Sequence, residues 1–310
     1  MVAVLMSTYN GQSYLKEQLD SILSQNYSDF VLLIRDDGSS DETVQLIRSY
    51  ADPRIRVIEG TNLGPAASFF SLLQMVPEAD YIFFSDQDDI WFPEKMNRLL
   101  SEIKCYDHEP TMVFSDFTMI DSDGKVTANS YADYASLQVK PGKNPLAKVI
   151  AQPYAFGCAS VINRALADIV KDPPVGIEMH DCWISQCAAA MGNLIFVPEQ
   201  TIAHRFHSRN ATGKTGQDSF ITRLKRVTAD FSIQSDNSAL RLRQVELLLK
   251  HRGEYLLPEA RFELLELRNA FRKGKISSVL ALHKHGVNRQ KRLNTFYFYL
   301  TVLGIKGDIL

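Results

Sequence analysis

The chain has no run of about 20 apolar residues, so no segment is expected to cross a bilayer as a helix. It is poor in cysteine. Cys105, Cys158, Cys182 and Cys187 are the only four, none in the close paired spacing of a zinc site and too few for a disulfide scaffold of 310 residues. A reducing, cytoplasmic setting is the expectation. Met1 to Ser7 offer neither a basic patch nor an adequate apolar stretch, so no secretory signal peptide is expected there. No G-x-G-x-x-G follows the first apolar segment, which argues against a dehydrogenase-type dinucleotide fold. The absence of G-x-x-x-x-G-K-[ST] removes P-loop kinases and ATPases, and H-E-x-x-H is missing too.

What is present fits an enzyme of ordinary size. Hydrophobic content of 45% and charged content of 23% suit a globular protein and exclude a disordered one. The near-neutral total hides an asymmetry. From Arg241 onward there are 14 Lys and Arg against 6 Asp and Glu, leaving 20 against 30 before it. An acidic front and a basic tail imply two different surfaces.

Strand and helix signals alternate through the first third. Val2–Met6, Val31–Ile34, Ile55–Ile58, Tyr81–Phe84 and a segment opening at Met112 read as strands. Tyr14–Leu23, Glu42–Tyr50, Ala66–Met75 and Pro93–Ile103 read as helices, the last with Pro93 in its first turn. This order predicts an α/β fold with a mostly parallel sheet flanked by helices. After about residue 220 the signals are helical: Ala239–Leu249, Glu259–Phe271 and Ser277–His285, with a last apolar stretch at Phe296–Ile305. A catalytic domain over residues 1–219 is expected, with a nucleotide-binding half (1–115), an acceptor-side half (116–219), and a helical basic region over 220–310.

Polar residues gather where strands end, which is where open α/β sheets bind ligands. Ser85-Asp86-Gln87-Asp88-Asp89 follows an aromatic strand. Three carboxylates there repel one another, and a hard divalent cation with oxygen ligands is the natural compensation. Such a cation on one of these carboxylates, bridging two phosphates, would stabilise a departing diphosphate, whereas Asp86, Asp88 and Asp89 could also be a simple solvated turn. Asp36-Asp37-Gly38-Ser39-Ser40-Asp41-Glu42 has two readings. Ser39 with Glu42 has capping-box spacing and Asp41 suits a helix dipole, whereas Asp36 and Asp37 can accept from a ribose hydroxyl and a base N–H. Asp181, in His180-Asp181-Cys182-Trp183, is either a helix N-cap or a general base, and Trp183 either core or a sugar-stacking ring. His204 to Asn210, with Gly213 and Gly216, reads as a polar loop whose two Arg and two His suit a diphosphate, or as a solvated basic loop.

Leu5 to Gly11, Arg35 to Asp41, Ser85 to Trp91 and His180-Asp181 together resemble the family-2 inverting glycosyltransferases of the GT-A fold. The strings Phe84 to Pro93 and Arg205 to Asn210, with a similar stretch from Asn288 to Gly304, look like a narrower branch. That branch is the rhamnosyltransferases of streptococcal-type cell-wall and capsular polysaccharide. The resemblance implies that Thr8, Tyr9 and Asp37 hold a thymine or uracil with Asp36 nearby, and that Asn62 and Gly64 lie near the donor. It implies Asp86 at the ribose, Asp88 as main metal ligand, Arg205 and His207 at the diphosphate or metal, and Asp181 as catalytic base. Asp89, Trp91, His180 and Trp183 are candidates on the acceptor side. Cys182 and Phe206 depart from the branch, which usually has an aromatic and often a Gln there.

The implied reaction is a single displacement with Mn2+ or Mg2+, most simply moving rhamnose from dTDP-rhamnose to a glycan or lipid-linked acceptor. The basic tail, with Arg268, Arg272, Lys273, Lys275, Lys284, Arg289, Lys291 and Arg292 around Phe296, Phe298 and Leu300, suits a peripheral role on an anionic membrane face. It also suits a face packed on the catalytic domain or a homodimer contact. A non-catalytic glycan- or nucleotide-sugar-binding protein and a metal-dependent nucleotidyltransferase or phosphohydrolase are the competing classes. Nucleic acid is the weakest partner, since the sheet-edge loops are acidic.

Overall fold

The apolar runs of the first third form parallel strands whose ends coincide. In the computed structural model, which describes residues 1–137, 145–207, 231–289 and 291–307, the order is β1 (Val2–Thr8), α1 (Leu15–Leu23), β2 (Phe30–Asp36), α2 (Thr43–Ser49), β3 (Ile55–Glu59), α3 (Pro65–Gln74) and β4 (Tyr81–Ser85). β1 lies between β2 and β4, all parallel, and β3 borders β2. Buried on both faces, β1 has no alternation: Val2 to Met6 are all buried. Thr8 is in register with Asp36, and Met6 with Ser85. That register brings the three polar strand ends to one edge.

The chain continues through β5 (Ile90–Trp91), α4 (Lys95–Ile103), β6 (Thr111–Ile120), β7 (Val126–Ala128), α5 (Tyr131–Ala135), α6 (Pro145–Ala151), β8 (Ser160–Asn163), α7 (Arg164–Val170), α8 (His180–Met191) and β9 (Asn193–Arg205). The sheet runs β3-β2-β1-β4-β8-β6-β9-β5, with β7 on β6. β8 is antiparallel to both β4 and β6, β6 and β9 are parallel, and β5 is antiparallel to β9. The sheet is therefore parallel in its first half and mixed in its second.

Three local expectations change. Pro93 precedes α4, which starts at Lys95; Lys95 N donates instead to Phe92 O at 3.0 Å. Ser39 is no cap: its hydroxyl donates to Asp36 Oδ1 at 2.6 Å, and α2 opens at Thr43 without a side-chain cap. His204 and Arg205 end a strand rather than sit in a loop, because β9 pairs with β6 as far as Arg205. Ser208 to Asn210, Gly213, Gly216 and the expected boundary at 219/220 lie outside the described residues.

The last helices are α9 (Phe231–Arg252), α10 (Pro258–Lys273), α11 (Lys275–Lys284) and α12 (Arg292–Leu303). Leu242, Val245 and Leu248 of α9 and Leu264 and Leu267 of α10 share one apolar cluster with Trp183 and Ile184 of α8. Arg241 pairs with Glu178 at 3.1 Å, and Leu257 N donates to Ala190 O at 3.0 Å. A second cluster fills the other face of the sheet, under α1 and α4, with Leu15, Leu19, Phe83, Trp91 and Leu99. Among the described residues no helix is long and apolar enough to cross a membrane.

Candidate active site

A cleft of about 240 Å³ opens along the carboxyl edge of the parallel strands. Ser7, Tyr9, Asp37, Asn62 and Gly64 line one side, Asp86, Gln87 and Asp88 the floor, and Gly157, His180 and Asp181 the opposite wall.

The two carboxylates that end β2 divide their work. Asp36 accepts from Thr8 Oγ1 (2.9 Å), Ser39 Oγ (2.6 Å), Ser39 N (2.8 Å) and Gly38 N (3.2 Å). These fill the four acceptor positions of a carboxylate. Asp36 and the Thr8 hydroxyl thus hold the loop together, and neither faces the cleft as the donor contact anticipated for them. Asp37 does face it. Leu63 N and Gly64 N donate to it, each at 2.8 Å, and Arg35 forms an ion pair with it. Burial opposes its charge, but those two N–H groups and the guanidinium outweigh it and hold the carboxyl below its usual range. One acceptor position on Oδ2 stays open toward the cleft. Gly64 adopts φ +81°, a left-handed conformation that glycine tolerates and that turns its N–H toward Asp37. Asn62 Oδ1 accepts from the same N–H at 3.1 Å, and Tyr9 is 49% exposed at the mouth.

The acidic run after β4 is locked to β1 by Gln87, whose amide accepts from Tyr9 N (2.9 Å) and donates to Tyr9 O (3.1 Å). A Cβ on Gly11 would fall 2.2 Å from Gln87 Oε1, so this clasp needs glycine there. Asp88 Oδ2 lies 2.8 Å from His207 Nε2, and that imidazole stacks on Tyr14 with centroids 4.9 Å apart. Burial, then the charges of Asp89 and Asp88, push the Asp86 carboxyl up to about 8. A divalent cation relieves such crowding. Asp88 and His207 converge as an oxygen and an imidazole nitrogen, a donor pair suited to such an ion.

Asp89 turns the other way. It is fully buried and accepts from His204 Nδ1 (2.7 Å) and Arg205 N (3.0 Å), so it ties the run to the end of β9 and cannot reach an acceptor. Burial would lower the His204 pKa, but Asp89 raises it to about 9. Ligand atoms of Asp86, Asp89, Cys158 and His204 lie within 4.8 Å of one another. Positive charge is already supplied there by the raised imidazole. Arg205, anticipated at the diphosphate, is also buried. Its Nε donates to Asp88 O (2.9 Å), Nη2 to Glu17 (2.6 Å), and the guanidinium lies over Tyr14, so it braces the backbone of Asp88. Trp91 and Trp183 are 2% and 0% exposed, in the two apolar clusters, and neither lines this cleft. Packing, with Lys95 Nζ 3.5 Å from the Trp91 ring centroid, accounts for them.

Asp181 sits in the first turn of α8, whose N-cap is Met179, so it is not the cap. Its Oδ1 accepts from Cys182 N (2.8 Å) and its Oδ2 from Gly157 N (3.2 Å). His180 beside it stacks on Phe69 at 4.1 Å. Both its ring nitrogens are buried without a hydrogen-bond partner, and burial lowers its pKa, so the ring is neutral. A Cβ on Gly157 would come 2.7 Å from His180 Nε2. Arg35, Gln87 and Gly157 had no role assigned from the sequence. The Arg35–Asp37 spacing on one face of β2 was the available signal for the first; nothing local marks the other two, which act across distant segments.

The strand order and helices match a known architecture. The UDP-GlcNAc complex of TarS residues 1–349 from S. aureus superposes with a TM-score of 0.60 at 15% identity, covering 98% of this chain and 90% of that one. A mannosyltransferase of Pyrobaculum calidifontis, solved with GDP-Man and Mn2+, gives 0.53 at 15% identity, covering 97% and 85%. This is the GT-A fold. Residues 3–168 match the model of Glycosyl transferase family 2, and the chain belongs to that family. It is 35% identical over 232 residues to dTDP-rhamnosyl transferase RfbG of Shigella flexneri, covering 67% of this chain and 73% of that protein. The chain spans less than two thirds of other curated relatives, 66% of one and 31% of another.

Proposed function

We propose that this chain is an inverting glycosyltransferase that moves L-rhamnose from dTDP-rhamnose to a hydroxyl of a lipid-linked or polysaccharide acceptor, at the cytoplasmic face of a bacterial cell. Residues 1–219 would be the catalytic domain and 220–310 a helical appendage. The observation that carries the reading is that Asp181 shares one cleft with Asp86 and Asp88. A base on one wall and a diphosphate site on the floor leave room between them for an anomeric carbon.

Asp37 and Tyr9 would take the pyrimidine, with the open position of Asp37 accepting its N–H. Asp86 would meet the ribose. Asp88 and His207 would hold Mn2+, which their mixed oxygen and nitrogen donors suit better than Mg2+. When bound, the ion neutralises charge on the diphosphate. Asp181 accepts the acceptor's hydroxyl proton as the oxygen attacks the anomeric carbon. The carbon–oxygen bond to the diphosphate breaks on the opposite side, so configuration inverts. An ionised carboxylate is a weak base, so proton transfer accompanies attack. Holding both substrates in line supplies much of the rate. His180 lines the cleft, but its ring nitrogens are buried, so it would act by seating the start of α8 against Phe69.

The rhamnose assignment draws on the likeness to RfbG; a UDP-sugar is the alternative favoured by the likeness to TarS. Nucleoside diphosphate release from dTDP-rhamnose, UDP-glucose and UDP-N-acetylglucosamine, with and without Mn2+, separates them. Metal-dependent release from dTDP-rhamnose with a rhamnosylated product is expected. Asp181→Asn should lower kcat by at least about 100-fold with little change in donor binding; near-normal turnover would remove Asp181 as the base.

A further inference from the structure

The last helix is apolar on two opposite sides. Phe298, Thr301 and Val302 of α12 are buried against the rest of the molecule. Leu293, Phe296, Leu300 and Leu303 point outward, 75%, 61%, 39% and 42% exposed. Their spacing of three and four residues makes one stripe along the helix. The neighbouring α11 adds Ile276 and Leu280, 74% and 66% exposed and one turn apart. The two helices run side by side in opposite directions, joined where Lys275 Nζ donates to Ile305 O and where the His283 and Tyr299 rings lie 6.4 Å apart. Six large apolar side chains therefore share one corner of the molecule, more than the scattered exposure normal for a surface.

Charge at this corner is predominantly of one sign: Glu266 of α10, which shares a groove with Leu280, is taken up by Lys284 and His285. Between residues 267 and 307 there are nine Lys and Arg and no Asp or Glu. Lys273, Lys291, Arg292 and Lys306 are exposed, with no carboxylate in ion-pair reach among the described residues. Lys291 and Arg292 stand at the start of the stripe and Lys306 just beyond its end.

We propose that this face of α11 and α12 is the surface by which the chain lies on a bilayer containing anionic lipid. An in-plane amphipathic helix needs an apolar face to sink among the acyl chains and cations at headgroup level, and both are here. A second copy of the chain fits less well. A two-fold contact brings the same patch against itself, setting the unpaired cations of one copy against those of the other. The apolar stripe alone would serve either occupant; the surplus of cations without a carboxylate among the described residues selects the lipid. The surface is independent of which sugar the cleft takes, so failure of the rhamnose assignment would leave it standing.

The test is co-sedimentation of the full chain with vesicles of phosphatidylcholine, with or without about 30% phosphatidylglycerol. Wild type should pellet with the anionic vesicles at low salt, far less with the neutral ones, and progressively less as salt rises. Leu293→Asp/Phe296→Asp should weaken binding at least about tenfold. Lys291→Glu/Arg292→Glu should weaken it and flatten its salt dependence. All four side chains are exposed, so melting temperatures should match wild type and separate lost binding from lost folding. Wild type staying in the supernatant at low salt would overturn the proposal, as would either variant pelleting like wild type. A wild-type dimer that Leu293→Asp/Phe296→Asp splits, without vesicle binding, would assign the face to a second copy instead.

Discussion

Two adjacent aspartates show how much a residue's partners decide. Asp36 and Asp37 are the same side chain at neighbouring positions, and the sequence reading gave both to the nucleotide. The structure fills every acceptor position of Asp36 from its own loop and leaves Asp37 one toward the cleft. Asp36 is the last residue of β2 and Asp37 the first beyond it, still extended enough for the two side chains to take opposite sides. Asp37 is also the counter-ion of Arg35, which is buried with it. Asp37→Asn should thus do more than weaken nucleotide binding: it should cost about 3–5 kcal/mol by stranding a buried guanidinium. The sign with pH follows from the lowered carboxyl. Its stabilisation is present above the ordinary value of about 3.9 and is lost as pH falls through the lower folded-state value. Urea unfolding at neutral pH should show the full difference between wild type and variant, and acidification should shrink it. A pH-independent difference would count against the ion pair as its source.

At the scale of elements, the strands of the first half were legible because each is a short apolar run bounded by turn residues. Their shared edge followed from that alternation. The second half was less legible. The end of β9 was read as part of a polar loop, since His204 and Arg205 look solvated until Asp89 and the carbonyl of Asp88 are seen to receive them. Nothing in the sequence marks the 3-10 turn over Gly157–Ala159 either, although Gly157 and Cys158 line the wall of the cleft. Gly157 lets this turn approach the start of α8, donating its N–H to Asp181 while leaving space for His180. Gly157→Ala puts a methyl group 2.7 Å from His180 Nε2 and 3.4 Å from Asp181 Cβ, so either the imidazole or the start of α8 must give way. A displacement of that kind costs about 10- to 100-fold in kcat when a base is moved from its substrate. Steady-state kinetics should show kcat falling with donor KM within about threefold. An unchanged kcat would mean that α8 tolerates the shift and that its position is less constrained than the contact implies.

Over the whole molecule, the change of pattern near residue 220 suggested a distinct helical region, and the apolar core extends into its helices. Leu264 and Leu267 of α10 meet the same cluster as Trp183 and Ile184. Periodicity reveals that a helix has an apolar face, not which distant face covers it. If the cluster is one core, the helices after residue 230 and the sheet should unfold together. The chain carries its own probes for this. Both tryptophans, Trp91 and Trp183, lie before residue 208, one in each apolar cluster. Far-ultraviolet circular dichroism, by contrast, weights the long C-terminal helices. The two signals should melt at one temperature. Leu267→Ala removes a fully buried side chain far in sequence from either tryptophan and should cost about 2–5 kcal/mol. It should lower both melting curves by the same several degrees. A dichroism curve that moves alone would show that the helices fold as a unit of their own; the catalytic cleft would then keep its shape without them.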